Sequence, residues 1–67
     1  MRREEVGRRI RSWMVDAGMT QEDTASALGV SVGALKSWIY GQRSIDFERA
    51  EQIADLFGKT LDDLACR

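Results

Sequence analysis

The segment Thr20-Gln-Glu-Asp-Thr-Ala-Ser-Ala-Leu-Gly-Val-Ser-Val-Gly-Ala-Leu-Lys-Ser-Trp-Ile-Tyr-Gly41 constrains the fold more than any other part of the chain. It reads as two short helices joined by a tight turn. Thr20 is placed to cap the first helix, with Asp23 at the third helical position completing a capping-box pair. Gly29 follows Leu28 where a left-handed residue would end that helix. Ser31 then caps the second helix and Gly41 ends it. The apolar residues do not alternate, so no strand pattern competes. Two short helices around a Gly-containing turn form an arrangement whose second helix commonly enters the DNA major groove.

The rest of the chain supplies a bundle around this pair. Val6, Ile10, Trp13, Met14 and Ala17 recur at helical spacing and predict a first helix from about Arg3 to Ala17, closed by Gly18. The second helix is expected at about Gln21–Leu28, with Ala25 and Leu28 inward. The third is expected at Val32–Tyr40, with Leu35, Trp38 and Ile39 inward. The fourth is expected at Phe47–Phe57 behind an Asp46 cap, with Phe47, Ala50, Ile53, Ala54 and Phe57 inward. Gly58 ends it, and Thr60 caps a short fifth helix carrying Leu61, Asp63 and Leu64. The expectation is an all-α, compact five-helix bundle, with residues 1–67 forming one domain and no linker or internal repeat.

Composition narrows the function. A chain of 67 residues with no proline has room for one small core. No histidine is present and Cys66 is the single cysteine, so neither a Cys/His zinc site nor an internal disulfide is expected. A lone cysteine near the chain end reads as an inert thiol and suits a reducing cytoplasm. Arg2 and Arg3 are followed by Glu4 and Glu5 rather than an apolar run, so no signal peptide or membrane span is expected. No glycine-rich phosphate loop, metal-ligand set or cofactor motif accompanies these residues, and an enzyme is not expected. The acidic pairs Glu4/Glu5, Glu22/Asp23 and Asp62/Asp63 sit near helix starts, where the helix dipole accounts for them.

The net charge of −1 counts against indiscriminate nucleic-acid binding. Its distribution softens the objection. Residues 1–43 carry seven basic and five acidic side chains, and residues 44–67 carry three basic and six acidic. Such asymmetry can present a basic face while the far end repels phosphate.

The order of these pieces resembles the phage-repressor/Cro-like helix-turn-helix family, also called the XRE family, along nearly the whole chain. Val6-Gly7-Arg8-Arg9-Ile10-Arg11 is similar to its opening helix, Gly18-Met19-Thr20-Gln21-Glu22 to the start of its second, and Leu28-Gly29-Val30-Ser31 to its turn. Gly41-Gln42-Arg43 is similar to the loop after its third helix. Ile53-Ala54-Asp55-Leu56-Phe57-Gly58 and Thr60-Leu61-Asp62-Asp63-Leu64 are similar to its closing helices. The resemblance implies sequence-specific binding of double-stranded DNA, usually by a transcriptional regulator and often by a dimer. The run from Trp38 to Ile45 also resembles phage Cro-like and antitoxin-type members. A protein-interaction or antitoxin-like module with the same fold is therefore the rival expectation.

Five positions depart from the family pattern. Thr24 stands where leucine is usual, so the second helix is expected to pack less apolar surface. Trp38, Ile39 and Tyr40 replace an isoleucine, a glutamate and a basic or polar residue, and Met14 replaces an arginine. The family's arginine and glutamate pair between its first and third helices. Met14 and Ile39 are instead expected to pack against each other.

Site residues follow from the faces and the resemblance together. With Leu35 facing the core, Gly33, Lys36, Ser37 and Tyr40 are expected to point away, with Val32 near the edge. A groove-entering helix needs small residues for close approach and a few polar groups to read base edges. Val32, Gly33, Lys36 and Ser37 are the expected base contacts. Gln21, Ser31, Tyr40, Gln42 and Arg43 are the expected phosphate contacts, although an ordinary solvated surface also accounts for Lys36, Ser37 and Arg43. Arg8 and Arg11 read as solvated, and Tyr40 is open to either reading. A homodimer on a pseudo-palindromic operator is expected to pair through Phe57, Leu61 and Leu64 at the C-terminal end.

Overall fold

The computed structural model describes residues 2–65, so Cys66 and its expected inert thiol lie outside the described residues. Five helices follow in order: α1 (Arg3–Ala17), α2 (Gln21–Leu28), α3 (Val32–Ile39), α4 (Phe47–Leu56) and α5 (Leu61–Leu64). No strand occurs among the described residues. Each expected cap is present. The Thr20, Ser31, Asp46 and Thr60 side chains each accept the backbone N–H three residues on. The helices α3 and α4 each stop one residue earlier than expected, with Tyr40 and Phe57 as their caps.

The largest fully buried side chains are Ile10, Thr24, Leu35, Ile53 and Leu64, one from each helix. All five helices therefore meet at one core, and truncating an aliphatic member such as Leu35 to alanine would cost about 2–5 kcal/mol. Thr24 is a threonine in an apolar place, and its hydroxyl escapes an unpaired state by donating to the Thr20 carbonyl at 2.9 Å. The α2 helix thus loses a leucine's apolar area without leaving a polar atom orphaned.

The α1 helix packs on α3 and α5, and α4 packs on α2 and α5. At the α1–α3 crossing a Cβ on Gly7 would collide with the carbonyl oxygens of Trp38 and Ile39. Glycine there lets the helices approach backbone to backbone. The other end of α1 is fixed by Trp13, whose ring lies 6.0 Å from that of Phe57 at 53°. Met14 and Ile39 are both buried in the same apolar cluster.

Several expected orientations are refined or corrected. Phe47 was expected inward but is 65% exposed. The α4 stripe of Ala50, Ile53 and Ala54 is buried, and one turn earlier it reaches a position that no other element covers. Trp38 and Phe57, expected inward, are half-buried and pack against the core from its edge, Ala17 at the end of the α1 stripe is exposed, and Ser37, expected outward, is buried. The chain after α3 folds back, with the Gln42 and Arg43 amides donating to the Ser37 carbonyl at 2.9 and 3.2 Å. Leu64, expected as surface for a partner, has no exposure at all, because α5 turns it into the core.

Candidate nucleic-acid interface

The α2–α3 unit is built by local chemistry. At its start Thr20 and Asp23 form a reciprocal capping box, the Asp23 amide donating at 3.0 Å and the Thr20 amide at 3.3 Å. At the turn Gly29 adopts φ 70°, a left-handed conformation that glycine takes without strain. The Gly29 and Val30 amides then donate to the Ser26 and Ala25 carbonyls and close α2. The Ser31 Oγ accepts the Ala34 amide at 3.1 Å and opens α3.

One carbonyl at this turn is served from outside the unit. The Leu28 oxygen accepts the Arg49 guanidinium at 3.0 Å and the Gln52 amide at 3.1 Å. Arg49 also donates to Gln52 Oε1 at 2.6 Å, and its guanidinium carbon lies 5.9 Å from the Trp38 ring centroid. A single arginine on α4 thus ties the end of α2 to the outer side of α3. Hydrogen bonds to a charged group are about twice as strong as neutral ones, so this is a stiff tie.

The candidate contacts fall at the start of α2 and at both ends of α3. Gln21 is half-buried at the first position of α2. Ser31, Gly33 and Lys36 are exposed and Val32 is half-buried, which forms a small-residue face with one long cation. At the far end Tyr40 is 55% exposed, and Gln42 and Arg43 are exposed in the loop. The backbone amides of Gln42 and Arg43 are occupied by Ser37, so only their side chains are available to a ligand. Ser37 leaves the group of expected base contacts. It is buried, and its hydroxyl donates to the Ala34 carbonyl at 2.6 Å.

Gly33 is the informative residue of this face. A Cβ there would meet nothing nearer than the Ser31 Oγ at 3.9 Å. Its backbone is helical. Each of the other five glycines is held by a positive φ or, at Gly7, by a backbone contact. Nothing among the described residues requires glycine at position 33, where it costs a helix about 1 kcal/mol against alanine.

Arg49 and Gln52 were not among the expected site residues. Their spacing on α4 suggests only a polar face. Their partner, the Leu28 carbonyl, lies 21 and 24 residues away in sequence, beyond any local pattern. Among the described residues no group of three or more His, Cys, Asp or Glu side chains is placed to hold a metal ion. None of the described helices is long and apolar enough to cross a membrane.

Comparison with known proteins agrees with this geometry. A family model described as helix-turn-helix, HTH_3, matches residues 10–64. Two crystal structures of the clp gene regulator ClgR from Corynebacterium glutamicum are similar. One has TM-score 0.91 and 27% identity, covering 98% of this chain and 70% of that one. The other has TM-score 0.88 and 27% identity, covering 98% of this chain and 86% of that one. The restriction-modification controller protein C.AhdI from Aeromonas hydrophila shares the fold, with TM-score 0.84 and 21% identity over 91% of this chain and 92% of its own. The comparison with curated proteins found no match.

Proposed function

This chain belongs to the helix-turn-helix family HTH_3 of DNA-binding transcriptional regulators, and from that premise we propose a Cro- or repressor-like protein that inserts α3 into the major groove. The described residues act as one DNA-binding unit. In this reading Lys36 reaches a guanine edge and Val32 meets a thymine methyl. Gln21, Ser31, Tyr40, Gln42 and Arg43 grip the backbone on either side. The observation that carries the reading is Gly33, an exposed helical glycine that no internal contact or strained φ demands. A surface that must come close to base edges supplies the missing reason. The likeness to the two structures of ClgR, a clp gene regulator, supports a role in transcription.

Dimeric binding follows from the energetics. Lys36 is the single long polar side chain on α3. One good base contact gives about 1–3 kcal/mol of discrimination, so a second half-site is needed for useful specificity. We place the dimer face around Phe57 and Leu61, both half-buried, without Leu64. Trp13, Ala17, Met19 and Leu56 line a shallow depression beside Phe57, with Asp16 and Lys59 placing a charge of each sign on its rim.

The burial of Ser37 favours the second reading to one degree, since it removes a reading group from α3. An antitoxin-like interaction module would keep the fold and not need those groups. Fluorescence anisotropy with a random-sequence duplex separates the two. Binding at low salt that is lost at high salt is the expected result. A folded protein that ignores duplex DNA at every salt concentration belongs to the interaction reading.

A further inference from the structure

We propose that Arg3, at the start of α1, is a DNA-backbone contact that works beside Arg43, an inference that rests on the DNA-binding reading above. The two arginines share a depression of about 150 Å³ with Ser44, and Val6, Trp38 and Ile45 form its apolar wall. Arg3 and Arg43 each lack a carboxylate partner among the described residues. Arg3 instead donates to the Gln42 carbonyl at 3.5 Å, which turns its guanidinium toward the loop that carries Arg43.

The placement is held by backbone. Gly41 lies so close to Glu4 that an added Cβ would come within 3.3 Å of the Glu4 Cα. One turn later Gly7 sits on the Trp38 and Ile39 carbonyls. The first turn of α1 is therefore fixed against the loop, and Arg3 is carried with it. Arginine stays charged at all ordinary pH and offers a fork of donors that suits phosphate oxygens. The Ser44 hydroxyl adds a neutral donor. The apolar wall lowers the local dielectric and strengthens the attraction. Glu4 places one carboxylate nearby, and the two guanidinium groups outnumber it.

The test is the salt dependence of binding to a random-sequence duplex, read for the parent and for Arg3→Ala, Arg3→Lys, Arg43→Ala and Arg11→Ala. Each phosphate contact contributes about 0.9 to the slope of log affinity against log salt. Arg3→Ala is expected to lower the slope by about one unit, as is Arg43→Ala. Arg3→Lys should retain the slope. Arg11, which faces a separate depression with Val15, should have no effect. A parent slope in Arg3→Ala, with the parent binding DNA normally, overturns the proposal and leaves the DNA reading intact. A folded parent that does not bind duplex overturns both. Inorganic phosphate, titrated at fixed ionic strength, supplies the second arm. Displacement of the duplex by phosphate that disappears in Arg3→Ala is expected, because the two anions compete for the same pair; phosphate that binds the pair in the parent yet leaves the duplex in place would assign the pair to a free anion and overturn the backbone contact.

Discussion

The Arg49 guanidinium stands 5.9 Å from the centre of the Trp38 ring while it donates to the Leu28 carbonyl. The contact joins α4 to both members of the helix pair. Leu28 ends α2, and its carbonyl is one of the last four that a helix cannot satisfy internally. Arg49→Ala is expected to destabilise the fold by about 1–2 kcal/mol, since a charged hydrogen bond and a cation–π contact are lost while Gln52 still reaches Leu28. Arg49→Lys should recover only part, because an ammonium lacks the flat fork. Chemical denaturation of both variants checks this. Equal stability of Arg49→Ala and the parent would remove the tie from the account.

Gly33→Ala should separate stability from binding. The site is helical and open, so alanine is expected to stabilise by about 1 kcal/mol and raise Tm by about 4–8 °C. The added methyl lies on the face assigned to DNA. Affinity for duplex should fall while Tm rises. Calorimetry and an anisotropy titration on the same sample read the two effects. A rise in Tm with unchanged affinity would mean that Gly33 has no part in close approach.

The five helices and their caps were legible in the sequence because the signals are local. Thr20, Ser31, Asp46 and Thr60 each act within three residues, and the left-handed glycines each end one turn. The orientation of Ser37 and Trp38 was not legible. It depends on how the loop after α3 folds back onto the Ser37 carbonyl. Periodicity also placed Phe47 and Leu64 on apolar stripes. It cannot say which end of a stripe the neighbouring helices cover, and the structure buries Leu64 and exposes Phe47. The Arg49 tie and the Arg3–Gln42 contact were invisible for the same reason, being set by tertiary packing alone.

Met14 and Ile39 are both buried in one apolar cluster, where the family resemblance would place an arginine and a glutamate. Met14→Arg or Ile39→Glu alone would bury an unpaired charge, at a cost of several kcal/mol. The double variant should recover part of that loss through a favourable coupling energy. Thermal melts of the three variants decide it. Additive losses, or single variants as stable as the parent, would show that the two side chains do not meet.

Asp63 gives the fold a small acid sensitivity. The backbone N–H of Thr60 donates to its carboxylate, the Thr60 side chain adds a second bond, and the pKa is held below its ordinary 3.8. A lowered pKa means that the fold favours the ionised form. The contribution is complete above the ordinary value and is lost as pH falls through the lowered one. The carboxylate is fully exposed, so the effect is confined to fraying of α5. Following the Thr60 amide by NMR should show its bond weakening only in strong acid, and Asp63→Asn should remove the transition. A transition at or above the ordinary carboxylate value would contradict the capping box.

Selection of bound duplexes from a random pool tests the central claim most directly, because it asks whether α3 reads sequence. The expected outcome is one enriched motif made of two similar half-sites, about 10 base pairs from centre to centre, as a symmetric dimer requires. Recovery of duplexes with no shared motif, by a protein that is folded and retained on DNA, would contradict it.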